Sequence, residues 1–178
     1  MTIRPLHLLG SPVLRQRGQD VTVVDAEIRQ LIDDLFETMH AARGVGLAAN
    51  QIGVARRVAV VDADGERHVL VNPVILEAQG RDTAEEGCLS IPNLYADVTR
   101  PERVVVQALD REGTPVTFTV SGLPARAIQH EIDHLDGILF IDHLGPMKRR
   151  LLLNRWRKEH PKEEGYVVEV KPESADTR

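Results

Sequence analysis

Apolar residues recur along this chain in two periods, and the change from one to the other divides it into elements. Ile28, Leu31, Ile32, Leu35, Phe36 and Met39 return at three- and four-residue steps, giving the single stripe of a helix packed by one face. Asp25 stands where an N-cap belongs, and Gly44 is the expected C′ residue. Ahead of that helix, Gly10-Ser-Pro-Val-Leu-Arg15 predicts a turn entering a short helical piece. From residue 57 to 121 the period shortens to that of strands: 57–62, 68–71, 74–77, 95–98, 103–109 and 115–120. Asp64-Gly65 and Glu112-Gly113 mark hairpin turns. Strands this close together, with no helix between them, pair mostly antiparallel.

A second helix-forming run spans Pro124 to Leu135, with Pro124 in its first turn, where a missing N–H costs nothing, and Gly137 just past its end. After Gly145-Pro146 a last helix reaches about Lys158, with Leu151, Leu152, Leu153 and Trp156 available to dock it. Tyr166 to Val170 predicts a terminal edge strand, and the tail beyond is expected to be loose. There is no repeat, low-complexity stretch or linker. The expectation is one α+β domain over residues 1–170, its strands packed around the 124–135 helix, followed by a tail over 171–178.

Composition narrows the class. A chain of 178 residues can bury a core without disulfides or structural metal. Cys88 is its only cysteine, so no intrachain disulfide forms and a reducing cytoplasm is the expected setting. No run approaches the roughly 18 apolar residues of a membrane-spanning helix, and the first residues lack the apolar core and cleavage site of a signal peptide. Net charge is −5 but unevenly spread. Residues 146–162 carry Lys148, Arg149, Arg150, Arg155, Arg157, Lys158 and Lys162 against Glu159 alone, a local +6 that leaves −11 elsewhere. Such a basic helix on an acidic body suits an RNA-rich surface, although a solvated charged face explains it equally well.

The chemistry concentrates in the second helix. Gln129-His-Glu-Ile-Asp-His134 reads H-E-x-x-H. Residues four apart lie one above the other on a helix, so His130 and His134 can aim imidazoles at one metal ion. Glu131 then sits beside it, where a carboxylate can take a proton from an activated water. Read alone, the pattern is also met on surface helices with two unrelated histidines. A catalytic site needs a third protein ligand that leaves one position open. The longer motif H-E-x-x-H-x-x-G-x-x-H fails, because Phe140 stands at the third histidine and His143 comes three residues late. Glu159, Glu163 and Glu164 lie in the basic, polar end of the chain. Cys88 is the better candidate, since a thiolate binds Zn²⁺ or Fe²⁺ well. It sits in Glu85-Glu-Gly-Cys-Leu-Ser-Ile-Pro92, a constrained turn able to hold a side chain in one direction. Gln51 is a polar residue in the small-residue segment from Gly44 to Gly53 and needs a partner there. His7, His40, His68 and His160 have no partner spacing and are read as surface or structural residues.

Three segments together resemble a known family. Gly44-Val-Gly-Leu-Ala-Ala-Asn-Gln51, Glu86-Gly-Cys-Leu-Ser90 and Gln129-His-Glu-Ile-Asp-His134 are similar, in order and separation, to the signature motifs of peptide deformylases. Gly10 to Arg15 resembles that family's N-terminal segment, so the likeness covers roughly residues 3–158, with Asn50 where many members have proline. The C-terminal helix, and the lack of an insertion before Cys88, look like the bacterial type 1 subgroup.

The resemblance implies removal of the formyl group from N-terminal formyl-methionine of nascent polypeptides, releasing formate. It implies Cys88, His130 and His134 as ligands of one divalent ion, Fe²⁺ with Zn²⁺, Ni²⁺ or Co²⁺ as substitutes. Glu131 would accept the water's proton, while the Gln51 amide and the Leu89 backbone N–H would stabilise the growing oxyanion. The backbone at Val45 and Gly46 would pair with an extended peptide, and an apolar pocket near Val45, Leu123 and Ala127 would take the methionine side chain. A monomer that meets nascent chains at the ribosome, through the basic helix at 147–158, completes the expectation. Two other readings stand beside it. One is a zinc endopeptidase using His130, His134 and a downstream glutamate. The other is an RNA- or ribosome-binding protein with a structural metal, for which the sequence offers no convincing fourth ligand.

Overall fold

The computed structural model describes residues 2–161 and 166–172. Its first strand, β1 (Leu6–His7), is followed by a 3₁₀ turn at Pro12–Arg15 and then helix α1 (Ala26–Ala41). Asp25 caps α1 through its side chain, which accepts from the Ile28 N–H at 3.0 Å. The C-terminal end departs from expectation. Arg43, not Gly44, takes the left-handed position, at φ 60. Its N–H donates to the His40 carbonyl and that of Gly44 to Met39, which closes a Schellman motif one residue early. Gly44 is small for another reason: a Cβ there would lie 2.6 Å from Leu89 Cδ1.

A five-stranded sheet carries the body of the domain. Strands β2 (Gly46–Ala48), β3 (Val58–Ala63), β4 (Glu66–Gln79), β7 (Arg103–Leu109) and β8 (Pro115–Ser121) lie in the order β2-β3-β4-β7-β8. A separate hairpin pairs β5 (Asp82–Cys88) with β6 (Ile91–Arg100). A short strand β9 (Val167–Val168) pairs with β1. Every strand pairing among the described residues is antiparallel. Helices α2 (Gly122–Leu135) and α3 (Pro146–Glu159) complete the fold.

The alternation along β3 explains the layering. Val58 and Val60 face α1, packing with Ile32, Leu35 and Met39, while Ala59, Val61 and Ala63 face α2, with Ile128, Ile132 and Leu135. The chemical helix is therefore a wall of the core. Gly137 ends it at φ 75, beside the Arg15 carbonyl, where a Cβ would approach within 2.7 Å. A third cluster packs β6 (Ile91, Leu94, Val98) with Phe140, Ile141 and Trp156, so α3 docks through its tryptophan. Leu152 and Leu153 are partly buried against that cluster, whereas Leu151 faces outward.

Four strand expectations change. Residues 68–71 and 74–77 join in one strand, bent at Asn72 (φ 50) with a shift of register there. β2 lies inside the segment read only as a small-residue turn. The stretch from Glu85 to Cys88, read as part of a turn, is strand, and only Leu89-Ser90 links it to β6. Period-two reasoning misses β5 because its one fully buried position, Glu86, is a carboxylate. The expected terminal strand shortens to Val167–Val168. Lys162, Glu163, Glu164 and most of the predicted tail lie outside the described residues.

Candidate metal centre

The hairpin and helix α2 bring together the three expected donors. Cys88, at the end of β5, holds Sγ 3.3 Å from His134 Nε2, and His134 Nε2 is 3.2 Å from His130 Nε2. Ligand atoms of all three lie within 4.8 Å of one another, the spacing of a shared cation. A cavity of roughly 400 Å³ opens beside them, walled by Gly46, Gln51, Cys88, His130 and Glu131.

The surroundings fix which atoms face inward. Glu86 Oε1 lies 3.0 Å from His130 Nδ1. An ionised carboxylate only accepts, so Nδ1 carries the proton and Nε2 presents its lone pair to the centre. Glu86 is held in turn by Arg100, through Nε at 2.6 Å and Nη2 at 2.9 Å, and by Arg126 Nη1 at 2.5 Å. Burial alone would raise the Glu86 pKa. Hydrogen bonds from His130 and Arg100 outweigh it and bring the value down to about 2. His134 is pushed well below the ordinary histidine range by burial, then by the charges of His130 and Arg100. A neutral imidazole of this kind is what a cation needs as ligand. His130 moves the other way: burial lowers it, but hydrogen bonds to Cys88 and Glu86 prevail. A proton and a cation therefore compete for its Nε2. Two imidazoles and a thiol, one imidazole oriented by a carboxylate, fit a divalent transition metal.

Glu131 is buried against this cluster, with Oε1 3.8 Å from His130 Nε2 and Oε2 without a hydrogen-bond partner. Its pKa is raised to about 7, chiefly by burial, which suits a group that takes and returns a proton near neutrality. Gly46 makes room for it, since a Cβ there would meet Glu131 Cγ at 2.9 Å. Gln51 accepts from the Ala48 N–H at 3.0 Å and donates to Ser90 Oγ at 3.0 Å. Its remaining contact, to Cys88 Sγ, is long at 3.6 Å. Leu89 follows Cys88 at the cavity wall. Val45, Gly46, Leu123 and Ala127 line the same cavity, with Val45 and Leu123 exposed at its rim and Ala127 deeper.

The structure brings every expected site residue to this one cavity or to its buried edge, where His134 lies. Four other histidines go elsewhere, His7 to Ser11, His40 to Asp62, His68 onto the Phe118 ring and His160 onto Trp156, while His143 meets Asp133. What sequence reasoning missed is the supporting layer of Glu86, Ser90, Arg100, Arg126 and Asp133. One signal was available, because Arg126 interrupts the apolar run of α2 and a buried arginine demands a carboxylate.

The profile of the polypeptide deformylase family matches residues 3–150. The chain belongs to that family. It is 48% identical over 164 residues to the peptide deformylase of Rhizobium meliloti, covering 89% of this chain and 94% of that one. The crystal structure of a peptide deformylase from Legionella pneumophila superposes with a TM-score of 0.84 at 46% identity, covering 89% of this chain and 95% of that one. The peptide deformylase of Ehrlichia chaffeensis in complex with actinonin gives 0.85 at 35% identity, covering 91% and 100%. The chain is therefore a metal-dependent hydrolase that removes the formyl group from the N-terminal methionine of nascent polypeptides. Against this, the readings as an endopeptidase and as a non-enzymatic RNA- or ribosome-binding protein with a structural metal fall away. No helix among the described residues is long and apolar enough to cross a membrane.

Proposed function

We propose that Cys88, His130 and His134 hold the metal of this deformylase, that the ion is Fe²⁺ with Zn²⁺, Ni²⁺ or Co²⁺ able to replace it, and that residues 1–170 act as one catalytic domain. The observation that carries the reading is the meeting of the Cys88 thiol with both imidazoles beside an open cavity. Bound there, the cation supplies Lewis acidity that activates water and polarises the formyl carbonyl.

The protein's own groups do the rest. Glu131 takes the proton of the attacking water on Oε2 and returns it to the leaving amine. The Gln51 amide exchanges its long contact with Cys88 for the developing oxyanion, while Ser90 and Ala48 hold the amide in place. The Leu89 N–H, next in the chain after Cys88, is the second donor. The backbone at Val45 and Gly46, where β2 begins, accepts the extended peptide as an added strand. Val45, Leu123 and Ala127 enclose the methionine side chain.

The test is formate release from formyl-Met-Ala-Ser by purified protein reconstituted anaerobically with Fe²⁺ or Zn²⁺. Formate release with iron supports the assignment, and equal activity with zinc overturns the preference for iron.

The same reading places the enzyme in the cytoplasm as a monomer that meets nascent chains at the ribosome through α3. Lys148, Arg150, Arg155, Arg157 and Lys158 of that helix are exposed, which suits salt-sensitive binding to RNA phosphates. Reversing Lys148, Arg150, Arg157 and Lys158 to glutamate leaves Trp156 docked. Co-sedimentation with ribosomes that survives this change at low salt would exclude α3 as the contact.

A further inference from the structure

His143 takes no part in the chemistry above, yet a continuous line of charged contacts joins it to the centre. It ends the 3₁₀ turn Phe140–His143, with its side chain 38% exposed. Its Nε2 lies 2.7 Å from Asp133 Oδ2. That same oxygen accepts from Arg100 Nη1 at 2.9 Å. The other side of Arg100 forks onto Glu86, and Glu86 Oε1 receives the His130 Nδ1–H. An ionised Asp133 has no proton to give, so His143 Nε2 is the donor in its pair.

Arg100 is thus shared between two carboxylates of unequal exposure. Glu86 is buried at 6%, and Asp133 is 20% exposed. We propose that His143 is a positioning residue for the metal centre, acting through Asp133, Arg100 and Glu86 on His130; the inference rests on the ligand set proposed above. By giving Asp133 a second donor, His143 leaves the Arg100 fork on Glu86. Without that N–H, Arg100 is the one side-chain donor still bonded to Asp133 among the described contacts, and it is drawn outward. The Glu86 carboxylate then loses half of its hold and lets the His130 ring swing.

Cobalt-loaded protein tests this, because a thiolate-to-cobalt charge-transfer band reports the Cys88 bond and its decay in excess chelator reports metal loss. Removing a direct partner of a metal-bound histidine typically weakens metal affinity about 10–100-fold, and a residue further out is expected to cost less, about three- to tenfold in the decay rate. His143→Phe decays faster by that factor, and His143→Gln, whose amide N–H can reach the same oxygen, returns close to the wild-type rate. In an Asp133→Asn background His143→Phe adds nothing. His143→Ala repeats the comparison without a bulky ring.

An unchanged decay rate in both His143→Phe and His143→Ala overturns the proposal. So do equal rates for Phe and Gln, or fully additive effects with Asp133→Asn, which would mean that His143 acts only on its own turn. A wild-type spectrum without a thiolate band would instead remove Cys88 from the ligand set, an outcome visible before any variant is made.

Discussion

Glu86 Oε1 stands 3.0 Å from His130 Nδ1, and the same carboxylate receives Arg100 from β6 and Arg126 from the helix of His130. One buried acid therefore ties the hairpin that carries Cys88 to the helix that carries both histidines. Truncating it leaves two guanidiniums, with side chains 5% and 7% exposed, without their main counter-charge. Breaking a buried ion pair from one side costs about 3–5 kcal/mol. Glu86→Ala is therefore expected to lower the chemical unfolding free energy by that amount and to weaken metal affinity about 10–100-fold. Glu86→Gln keeps an acceptor for His130 and is expected to lose less of both. Urea unfolding and chelator competition measure the two effects, and an Ala variant as stable as wild type would show that the cluster does not join the elements.

The same carboxylate predicts a pH dependence. Its folded pKa of about 2 lies below the ordinary glutamate value, so the ionised form is the stabilising one. The stability it adds is fully present above about pH 4.5 and is lost as pH falls towards about 2. Unfolding of metal-free wild type and of Glu86→Gln measures it. The difference in unfolding free energy should shrink steadily as pH falls through that window, and above it the His130–Glu86 hydrogen bond adds its own dependence.

Much of this architecture was legible before any coordinates. The stripe from Ile28 to Met39, the Asp64-Gly65 hairpin and the H-E-x-x-H helix each follow from local rules that their neighbourhoods obey. The site donors were legible too, because metal ligation restricts residue type and helix geometry restricts spacing. The layer behind them was not. Glu86, Arg100 and Arg126 come from β5, β6 and α2, and a charge looks solvated in sequence until tertiary contact buries it. β5 went unread for the same reason, since its inward face is polar. Arg43 in the left-handed position was hidden because Gly44 offered the conventional signal while serving to admit Leu89.

Gln51 and Cys88 touch at 3.6 Å but are expected to fail differently when changed. If Gln51 is the oxyanion donor proposed above, Gln51→Ala should lower kcat about 10²–10³-fold, about 3–4 kcal/mol of barrier, with one metal per chain retained. Cys88→Ser would remove the soft ligand proposed above and should lose metal and activity together. Metal content by elemental analysis beside turnover separates the two. Near-normal turnover in Gln51→Ala would take that side chain out of the reaction.

Gly46 sits where β2 passes Glu131, the proton acceptor proposed above, and a methyl group added there would lie 2.9 Å from Glu131 Cγ and 3.1 Å from its Oε1. The strand's backbone tolerates alanine, because φ at Gly46 lies outside the left-handed region. The conflict is therefore confined to one carboxylate. Glu131 is 3% exposed but lines the cavity, so the methyl would push its carboxylate out of place towards that space. Displacing a proton-transfer group by under an ångström can cost about 10²-fold in rate. Gly46→Ala is accordingly expected to keep its metal and melt within a few degrees of wild type while kcat falls by roughly that factor. The same methyl also borders the strand edge proposed for the peptide, so KM separates the two causes. A rise in KM at unchanged kcat would mean that the methyl blocks the peptide and leaves Glu131 in place.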